Sequence, residues 1–218
     1  MEEAGRGGRT VIFVSHNMGV INQLCEKCIL MENGEIAEFG QTSRVISNYM
    51  ATNIVNASKV LFDKDTVRDG NASYLFDYAE LRNSKNCTQT EFSMGDDLIL
   101  VLKFHKMKST MRNVRLGIQC FSPEGIAIAN IVDTDSHFDI NRFSDHNEVM
   151  ATIRDIRFYP GTYNIGIWIG SENCDITYDH IENAISFTIL NGGKLTTREL
   201  PRSAGFLFLT PEWKSRKT

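Results

Sequence analysis

The feature that most constrains the fold is a change of hydrophobic period near Asn56. After it, short runs of alternating apolar and polar residues are separated by Gly, Pro, Asn and Asp. Period-two alternation places apolar side chains on one face of a strand, and this spacing is typical of antiparallel sandwiches. The clearest runs are DLILVLKFH, NVRLGIQCF, IAIANIV, EVMATI, GTYNIGIWIG, NAISFTIL and AGFLFLT. We predict a mainly β chain, an antiparallel β-sandwich of Ig-like or jelly-roll type with about eight or nine strands.

Residues 1–56 follow an α/β pattern instead. The run TVIFVSH predicts a buried strand, and the apolar residues after it recur at helical spacing. In CILMENGEIAEFG, Asn33 and Gly34 supply the positive backbone dihedrals of a type I′ hairpin turn. QTSRVISNYMATNI predicts an amphipathic helix with Val45, Ile46 and Tyr49 on its apolar stripe. A segment of this size cannot bury its own strand.

Composition excludes several classes of protein. The chain has 218 residues, 42% of them hydrophobic and 23% charged, which is the mixture of a soluble globular protein. It lacks a signal peptide and an apolar run of the ~20 residues needed to span a membrane, so we expect a cytoplasmic location. The net charge of −4 and the scattered Lys and Arg predict no nucleic-acid partner. The 5 cysteines, an odd number, are expected to be reduced thiols, and Cys25 and Cys28 to be packed thiols rather than a zinc or redox site.

Residues 10–40 carry a first resemblance. TVIFVSHNM, a helix and ILMENGEIAEFG, in this order, resemble the H-loop strand, switch histidine and closing hairpin at the end of an ABC transporter ATPase domain. The resemblance implies that His16 is the switch residue, which contacts the γ-phosphate of ATP. The phosphate loop, signature motif, catalytic glutamate and metal-binding aspartate of that family lie upstream of this point and are absent here. We therefore expect a vestigial His16, no enzyme activity, and no cofactor in this chain, although full-length homologues use ATP and Mg²⁺.

The second resemblance is carried by the sandwich. FSMGDDLILVLKF, VRLGIQCFSPEGIAIANIVDTD, YPGTYNIGIWIG and IENAISFTIL, in this order, resemble the carboxyl-terminal domain of Wzt-type ATPases, which export lipid-linked polysaccharides such as O-antigens. This implies an ATPase remnant over residues 1–56 and a carbohydrate-binding domain over residues 57–218. The implied partners are a polysaccharide glycan, a transmembrane transporter subunit at the inner membrane and a second copy of the chain.

Two alternatives remain open. The sandwich could serve only for dimerisation or docking, without a glycan site, or the chain could be a truncated form of an active ATPase subunit. Phe206, Leu207, Phe208 and Leu209 form an apolar run that must pair within its own sheet or by exchange with a second subunit.

The run GTYNIGIWIG suggests where a glycan would bind. Trp168 stands between two glycines on one face of this strand, while Tyr163 and the isoleucines occupy the other. Glycines at such positions indicate a close approach to the backbone, whether by a sugar ring, a neighbouring strand, a loop or a dimer partner. Trp168 would supply an aromatic plate and Asn164 a polar neighbour. Tyr178 and Asp175 are candidates in the loop beyond.

An acidic stretch, DTDSHFDINRFSDH, raises the question of a metal. Its carboxylates and histidines alternate, but Phe138 and Ser144 stand where a calcium loop needs Gly and an acidic residue. We predict a solvated acidic loop and no metal site. The residues concerned are Asp133, Asp135, His137, Asp139, Asp145 and His146.

Overall fold

The computed structural model describes residues 11–15, 18–52, 57–107, 113–142, 146–201 and 205–215. The chain forms two compact units. One comprises residues 1–53 and 123–126, and the other comprises residues 54–122 and 127–218. Within the described residues, no helix has both the length and the apolar character needed to cross a membrane.

The first unit contains two helices and one hairpin. Helix α1 (Met18–Leu24) precedes β1 (Lys27–Glu32), β2 (Glu35–Gln41) and helix α2 (Thr42–Thr52). The hairpin turn has φ of 50° at Asn33 and 83° at Gly34, as its sequence predicts. Val45 and Ile46 of α2 are buried and Tyr49 is half-buried, in agreement with the predicted apolar stripe.

The predicted buried strand in TVIFVSH is not observed. Residues 11–15 have no regular secondary structure, and Val14 is 89% exposed. A strand needs neighbours to satisfy its N–H and C=O groups, and none of the described strands pairs with these residues. His16 and Asn17 lie outside the described residues.

The second unit is a sandwich of two sheets. Its described strands are β3 (Lys59–Leu61), β4 (Tyr74–Asn83), β5 (Glu91–Met94), β6 (Leu98–Lys106), β7 (Val114–Phe121), β8 (Ala127–Val132), β9 (His146–Ile153), β10 (Gly161–Ser171) and β11 (Thr177–Gly193). The five-stranded sheet has the order β5-β11-β10-β7-β8, and the four-stranded sheet has the order β3-β4-β6-β9. All of these pairings are antiparallel except that of β11 with β5. The predicted fold class is confirmed.

The core consists of the inward faces of both sheets. In β7, Val114, Leu116, Ile118 and Cys120 are buried, as the alternation in VRLGIQC predicts. The isoleucines and Tyr163 of β10 face the same interior. Burying each such side chain contributes about 1.5–3 kcal/mol, so this interior is the main source of stability.

A buried ion pair ties the loop before β4 to β11. The Asp179 carboxylate is fully buried, and its Oδ2 accepts hydrogen bonds from Arg68 Nη1 at 2.9 Å and from the Phe76 N–H at 2.8 Å. Asp69 and His180 exchange two backbone hydrogen bonds of 2.9 Å beside it. The two sheets are therefore linked through one carboxylate.

The strand predicted in AGFLFLT is reduced to a single bridge. Phe206 O accepts the Tyr159 N–H at 2.9 Å, and Phe208 N–H donates to Arg157 O at 2.7 Å. Phe208 is buried in a small cluster with Met94 and Leu200. The segment is thus anchored by one side chain rather than by an extended ladder.

Candidate functional site

Trp168 lies on the outer face of the five-stranded sheet, near the carboxyl-terminal end of β10. It stands opposite Gly117 of β7 and His180 of β11. Its indole Nε1 donates a hydrogen bond to Thr177 Oγ1 at 3.0 Å, and its side chain remains partly exposed. A hydrogen bond at one edge of the ring fixes its orientation while leaving a face open.

The glycines beside Trp168 make room for its own ring. A Cβ atom on Gly170 would lie 2.1 Å from Trp168 Cζ2, and one on Gly117 would lie 3.3 Å from Trp168 Cε3. The ring therefore covers both backbones and lies flat on the sheet. The close approach to the Gly170 backbone that the sequence suggests is made by the Trp168 ring and by the Ile176 carbonyl oxygen, which would lie 2.5 Å from a Cβ there.

At Gly166 the approaching group is the neighbouring strand. The register of β10 and β11 shifts between Ile165 and Ile167, so that residues 182–184 stand opposite Gly166 alone. The Glu182 carbonyl oxygen would lie 2.8 Å from a Cβ on Gly166. This bulge bends β11 over the face on the same side as Trp168.

Two of the four predicted glycan-binding residues are inaccessible. Asn164 is 2% exposed, and its Oδ1 accepts a hydrogen bond from the Ser186 hydroxyl at 2.6 Å. Tyr178 is 4% exposed and stacks on Tyr74 with ring centroids 5.7 Å apart. Both predictions are therefore wrong. Asn164 is buried beside the adjacent strand β11. Tyr178 lies in β11 rather than in a loop, and its side chain belongs to the core of the sandwich.

Asp175 does lie at the surface, near Trp168. It is exposed, and its carboxylate accepts a hydrogen bond from the Ser171 hydroxyl in the turn between β10 and β11. The same turn leads to Thr177, which holds the indole nitrogen. The structure therefore brings Trp168 and Asp175 to one end of the same face.

Several residues that the sequence analysis missed share this face. Gln119 of β7 stands opposite Asn130 of β8 and Gly166 of β10. Phe121, two residues further along β7, has its ring 3.2 Å from the position of a Gly166 Cβ. We define the Trp168 face as Arg115, Gln119, Phe121, Asn130, Trp168 and His180. The alternation of apolar and polar residues in β7 indicates that Arg115, Gln119 and Phe121 point outward. Only the pairing of β7 with β8 and β10 brings them next to Asn130 and Trp168.

The Trp168 face combines two aromatic rings with polar side chains. Gly117, beneath Trp168, and Phe121 are four residues apart, or ~13 Å along an extended strand. Between the rings lie the amides of Gln119 and Asn130. At one end, Arg115 Nη2 pairs with Glu172 Oε1 at 3.3 Å, so its charge is balanced. Such a surface can stack on apolar ring faces and exchange hydrogen bonds with hydroxyl groups.

Two groups on the four-stranded sheet have perturbed pKa values. The Tyr78 hydroxyl donates a hydrogen bond to Glu148, which raises the pKa of Tyr78 to about 12. Arg82 Nε lies 2.5 Å and Lys59 Nζ lies 3.2 Å from the Glu80 carboxylate, and Arg82 holds the pKa of Glu80 below its usual value. These groups are paired with one another, which is typical of a structural ion network rather than of a general acid and base.

The acidic stretch supplies turns. Asp135 Oδ2 accepts the Val132 N–H at 3.3 Å, and Asp139 Oδ1 accepts the Asn141 N–H at 3.1 Å. Asp133 is buried. Asp145 lies outside the described residues. Within the part of the chain that the structure describes, no three His, Cys, Asp or Glu side chains are arranged to hold a metal ion.

Comparison with known proteins gives one family match. The family model for the Wzt C-terminal domain matches residues 65–200. A crystal structure of the C-terminal domain of wzt is similar, with a TM-score of 0.57 and 12% identity, covering 71% of this chain and 91% of that one. Because the two sequences are only 12% identical, this structural similarity shows a shared fold and nothing more.

Relatives of this chain include two export ATP-binding proteins that are similar to it over short segments. The teichoic acids export ATP-binding protein TagH of Listeria innocua is 43% identical over 42 residues, 19% of this chain and 12% of that protein. The O-antigen export system ATP-binding protein RfbB of Klebsiella pneumoniae is 35% identical over 49 residues, 22% of this chain and 20% of that protein. The aligned segments thus span a small part of each relative.

Proposed function

This chain belongs to the Wzt C-terminal domain family, and from that premise we propose that it is the substrate-recognition module of a bacterial polysaccharide-export ABC transporter. In this proposal the Trp168 face binds the glycan that is to be exported. The observation that carries the proposal is the position of Trp168, whose ring lies flat over Gly117 and Gly170 with its outer side partly exposed. The names of the relatives, which concern export of teichoic acids and O-antigen, support the class of substrate.

The chemistry of the face suits a neutral or weakly charged sugar chain. A pyranose ring presents C–H groups on its faces and hydroxyl groups on its rim, so it needs an aromatic plate and hydrogen-bonding groups in alternation. Trp168 and Phe121 are the plates, and Gln119 and Asn130 supply amide groups. Because each net hydrogen bond contributes only about 0.5–1.5 kcal/mol, we expect weak binding of one repeat unit and tighter binding of a polymer.

The proposal extends to the rest of the chain. Residues 57–218 form the recognition domain, and residues 1–56 form the carboxyl-terminal part of an ATPase domain, with His16 as its switch residue. The recognition domain is docked through the transporter at the cytoplasmic side of the inner membrane. Two copies place two glycan faces on one assembly.

The test is titration with the delipidated surface polysaccharide of the producing bacterium. Trp168→Ala should weaken binding about tenfold, because loss of a stacking plate removes about 1.5 kcal/mol of apolar burial. Trp213→Ala is the matched control, since Trp213 is 88% exposed and lies outside the Trp168 face. Light scattering must show the same mass for both variants, because Trp213 belongs to the carboxyl-terminal segment that we expect near the dimer contact. Trp213→Phe also leaves one tryptophan, so that its fluorescence reports on Trp168 alone.

Circular dichroism must show that both variants remain folded. Quenching of Trp168 fluorescence by the polysaccharide and loss of binding in Trp168→Ala support the proposal. Equal binding by folded wild type and Trp168→Ala would show that the glycan binds elsewhere. If no polysaccharide from the bacterium binds the wild type, the recognition function itself is wrong.

A further inference from the structure

Residues 207–217, which we name the Trp213 segment, expose large apolar side chains. Leu207 is 53% exposed, Leu209 is 68% exposed and Trp213 is 88% exposed. Phe208, between the two leucines, is buried, and its N–H donates a hydrogen bond to Arg157 O at 2.7 Å. The segment is therefore fixed to the sandwich at Phe208 while its other large apolar side chains face solvent.

Basic residues follow Trp213 directly. Lys214, Arg216 and Lys217 come after it and Glu212 precedes it, so the Trp213 segment carries three cations and one anion. The whole chain, in contrast, has a net charge of −4. The Trp213 segment is thus a local concentration of positive charge, with an exposed aromatic ring, on an acidic chain.

The charge of Lys214 remains available to a partner. Lys214 Nζ lies 3.2 Å from Glu212 Oε2, and these two side chains are 78% and 79% exposed. Ion pairs at this degree of exposure are weak, so the lysine can exchange Glu212 for another anion. Arg216 and Lys217 lie outside the described residues and contribute through their charge and their place in the sequence.

An exposed tryptophan beside several cations suits the surface of an anionic bilayer. Tryptophan is enriched at membrane–water interfaces, because its ring is apolar and its N–H is polar. Each Lys or Arg near a negatively charged leaflet strengthens binding about fivefold. A second copy of the chain could cover the apolar side chains, but it offers no excess of negative charge at its own Trp213 segment. Charge complementarity therefore favours the lipid surface.

We propose that the Trp213 segment forms a peripheral contact with an anionic lipid bilayer. The Trp213 ring enters the headgroup region, and Lys214, Arg216 and Lys217 pair with lipid phosphates. One ring and three cations give a reversible contact, which strengthens docking of the chain through any second contact at the same membrane. The contact does not involve the Trp168 face, so it is tested without polysaccharide.

The test measures binding of the full chain to vesicles of phosphatidylcholine and to vesicles of an equimolar mixture with phosphatidylglycerol. The wild type should sediment with the mixed vesicles at ~0.1 M salt, where the screening length is about 10 Å, and not at ~1 M, where it is about 3 Å. It should bind phosphatidylcholine alone at least about twentyfold more weakly. Trp168→Phe leaves Trp213 as the only tryptophan, and its emission should shift to the blue on the mixed vesicles.

Substitutions separate the charge of the segment from its ring. Joint replacement of its three cations by Gln should weaken binding to the mixed vesicles at least about twentyfold. Trp213→Ala should weaken it at least about fivefold, because the apolar ring is lost. The matched control is joint replacement by Gln of three exposed lysines elsewhere, Lys27, Lys64 and Lys85, which should leave binding within about twofold of wild type.

Light scattering without vesicles should give the same mass for the wild type and for every variant. The proposal is overturned if the wild type does not bind the mixed vesicles, if salt has no effect, or if Trp213→Ala binds as the wild type does. Equal binding by the two triple variants also overturns it. So does a loss of binding that follows a fall in mass, because the segment would then act through a contact between copies.

Discussion

Gly170 determines how Trp168 can lie on the sheet. A methyl group there would stand 2.1 Å from the indole and 2.5 Å from the Ile176 carbonyl oxygen. We expect Gly170→Ala to destabilise the sandwich by about 1–3 kcal/mol through overpacking and to weaken polysaccharide binding by displacing the ring. Urea unfolding and the fluorescence titration measure the two effects.

The control for this substitution is Gly40→Ala. Its Cβ would meet Val45 Cγ2 at 3.7 Å, an ordinary contact, so stability and binding should stay near wild type. Equal stability and binding for Gly170→Ala and wild type would contradict the tight contact between ring and backbone.

Arg68 balances the fully buried charge of Asp179. Its side chain is 19% exposed, and Arg68→Leu would leave the carboxylate without its cation. Removing one partner of a buried pair costs about 3–5 kcal/mol, so a large fall in the urea midpoint is expected. Arg44→Leu, which breaks the exposed pair with Glu38, should cost less than about 1 kcal/mol. Similar losses in the two variants would show that the Asp179 pair is not stabilising.

Asp133 should make stability depend on pH. Burial raises its pKa above the ordinary 3.8, so the folded chain holds this proton more tightly than the unfolded chain. Stability from this group is therefore present at low pH and is lost as pH rises from about 3.8 through the folded pKa. Arg115 lowers this pKa and Asp139 raises it, with smaller effects than burial.

The variant Asp133→Asn isolates the pH-dependent contribution of the Asp133 carboxyl to the free energy of unfolding. The variant should gain stability relative to wild type between pH 4 and pH 7, as measured by urea unfolding at both values. A difference that stays constant, or that shrinks as pH rises, would contradict the effect of burial on Asp133.

At the scale of elements, the sandwich carries its own core. The main cluster of buried residues runs from Tyr74 to Ile189 and includes both sheets. We expect residues 57–218, produced alone, to fold and to unfold cooperatively in urea with near-native circular dichroism. An insoluble product, or a gradual transition where the full chain unfolds cooperatively, would reject a boundary near residue 56.

The strands that sequence analysis found and missed differ in regularity. β6, β7 and β10 are long apolar-rich runs bounded by turn residues, and they were predicted within a residue or two of their observed ends. β4 was not among the clearest runs, because its register with β6 shifts between Phe76 and Tyr78 and breaks the alternation. AGFLFLT was predicted as a strand from composition, yet only Leu207 forms a bridge.

At the scale of the whole molecule, the carboxyl-terminal segment bears on assembly. The backbones of Phe206 and Phe208 are hydrogen-bonded to those of Tyr159 and Arg157 in the same chain. The side chain of Leu209, in contrast, is 68% exposed. We expect a dimer in light scattering that dissociates on dilution, with this segment at or near the contact. Deletion of residues 205–218 should then lower the dimer fraction. A monomer mass at every accessible concentration would exclude exchange of the segment between subunits.

The sequence by itself determined the fold class, the family and the surface position of Trp168 and Asp175. Period-two alternation and turn residues specify which side of a strand is apolar, and this information is local. The glycines beside Trp168 in the sequence also indicated that some group approaches the backbone of β10 closely, without indicating which group.

Only the tertiary structure decided which outward residues remain accessible. Asn164 points to the same face of β10 as Trp168, but it is buried and accepts a hydrogen bond from the Ser186 hydroxyl. Gly166, on that face too, is approached by the Glu182 carbonyl oxygen of the bulge in β11. Gln119, Asn130 and Trp168 come from three strands whose neighbours alternation cannot reveal. These features depend on contacts between residues distant in sequence, which set accessibility and which a local pattern does not contain.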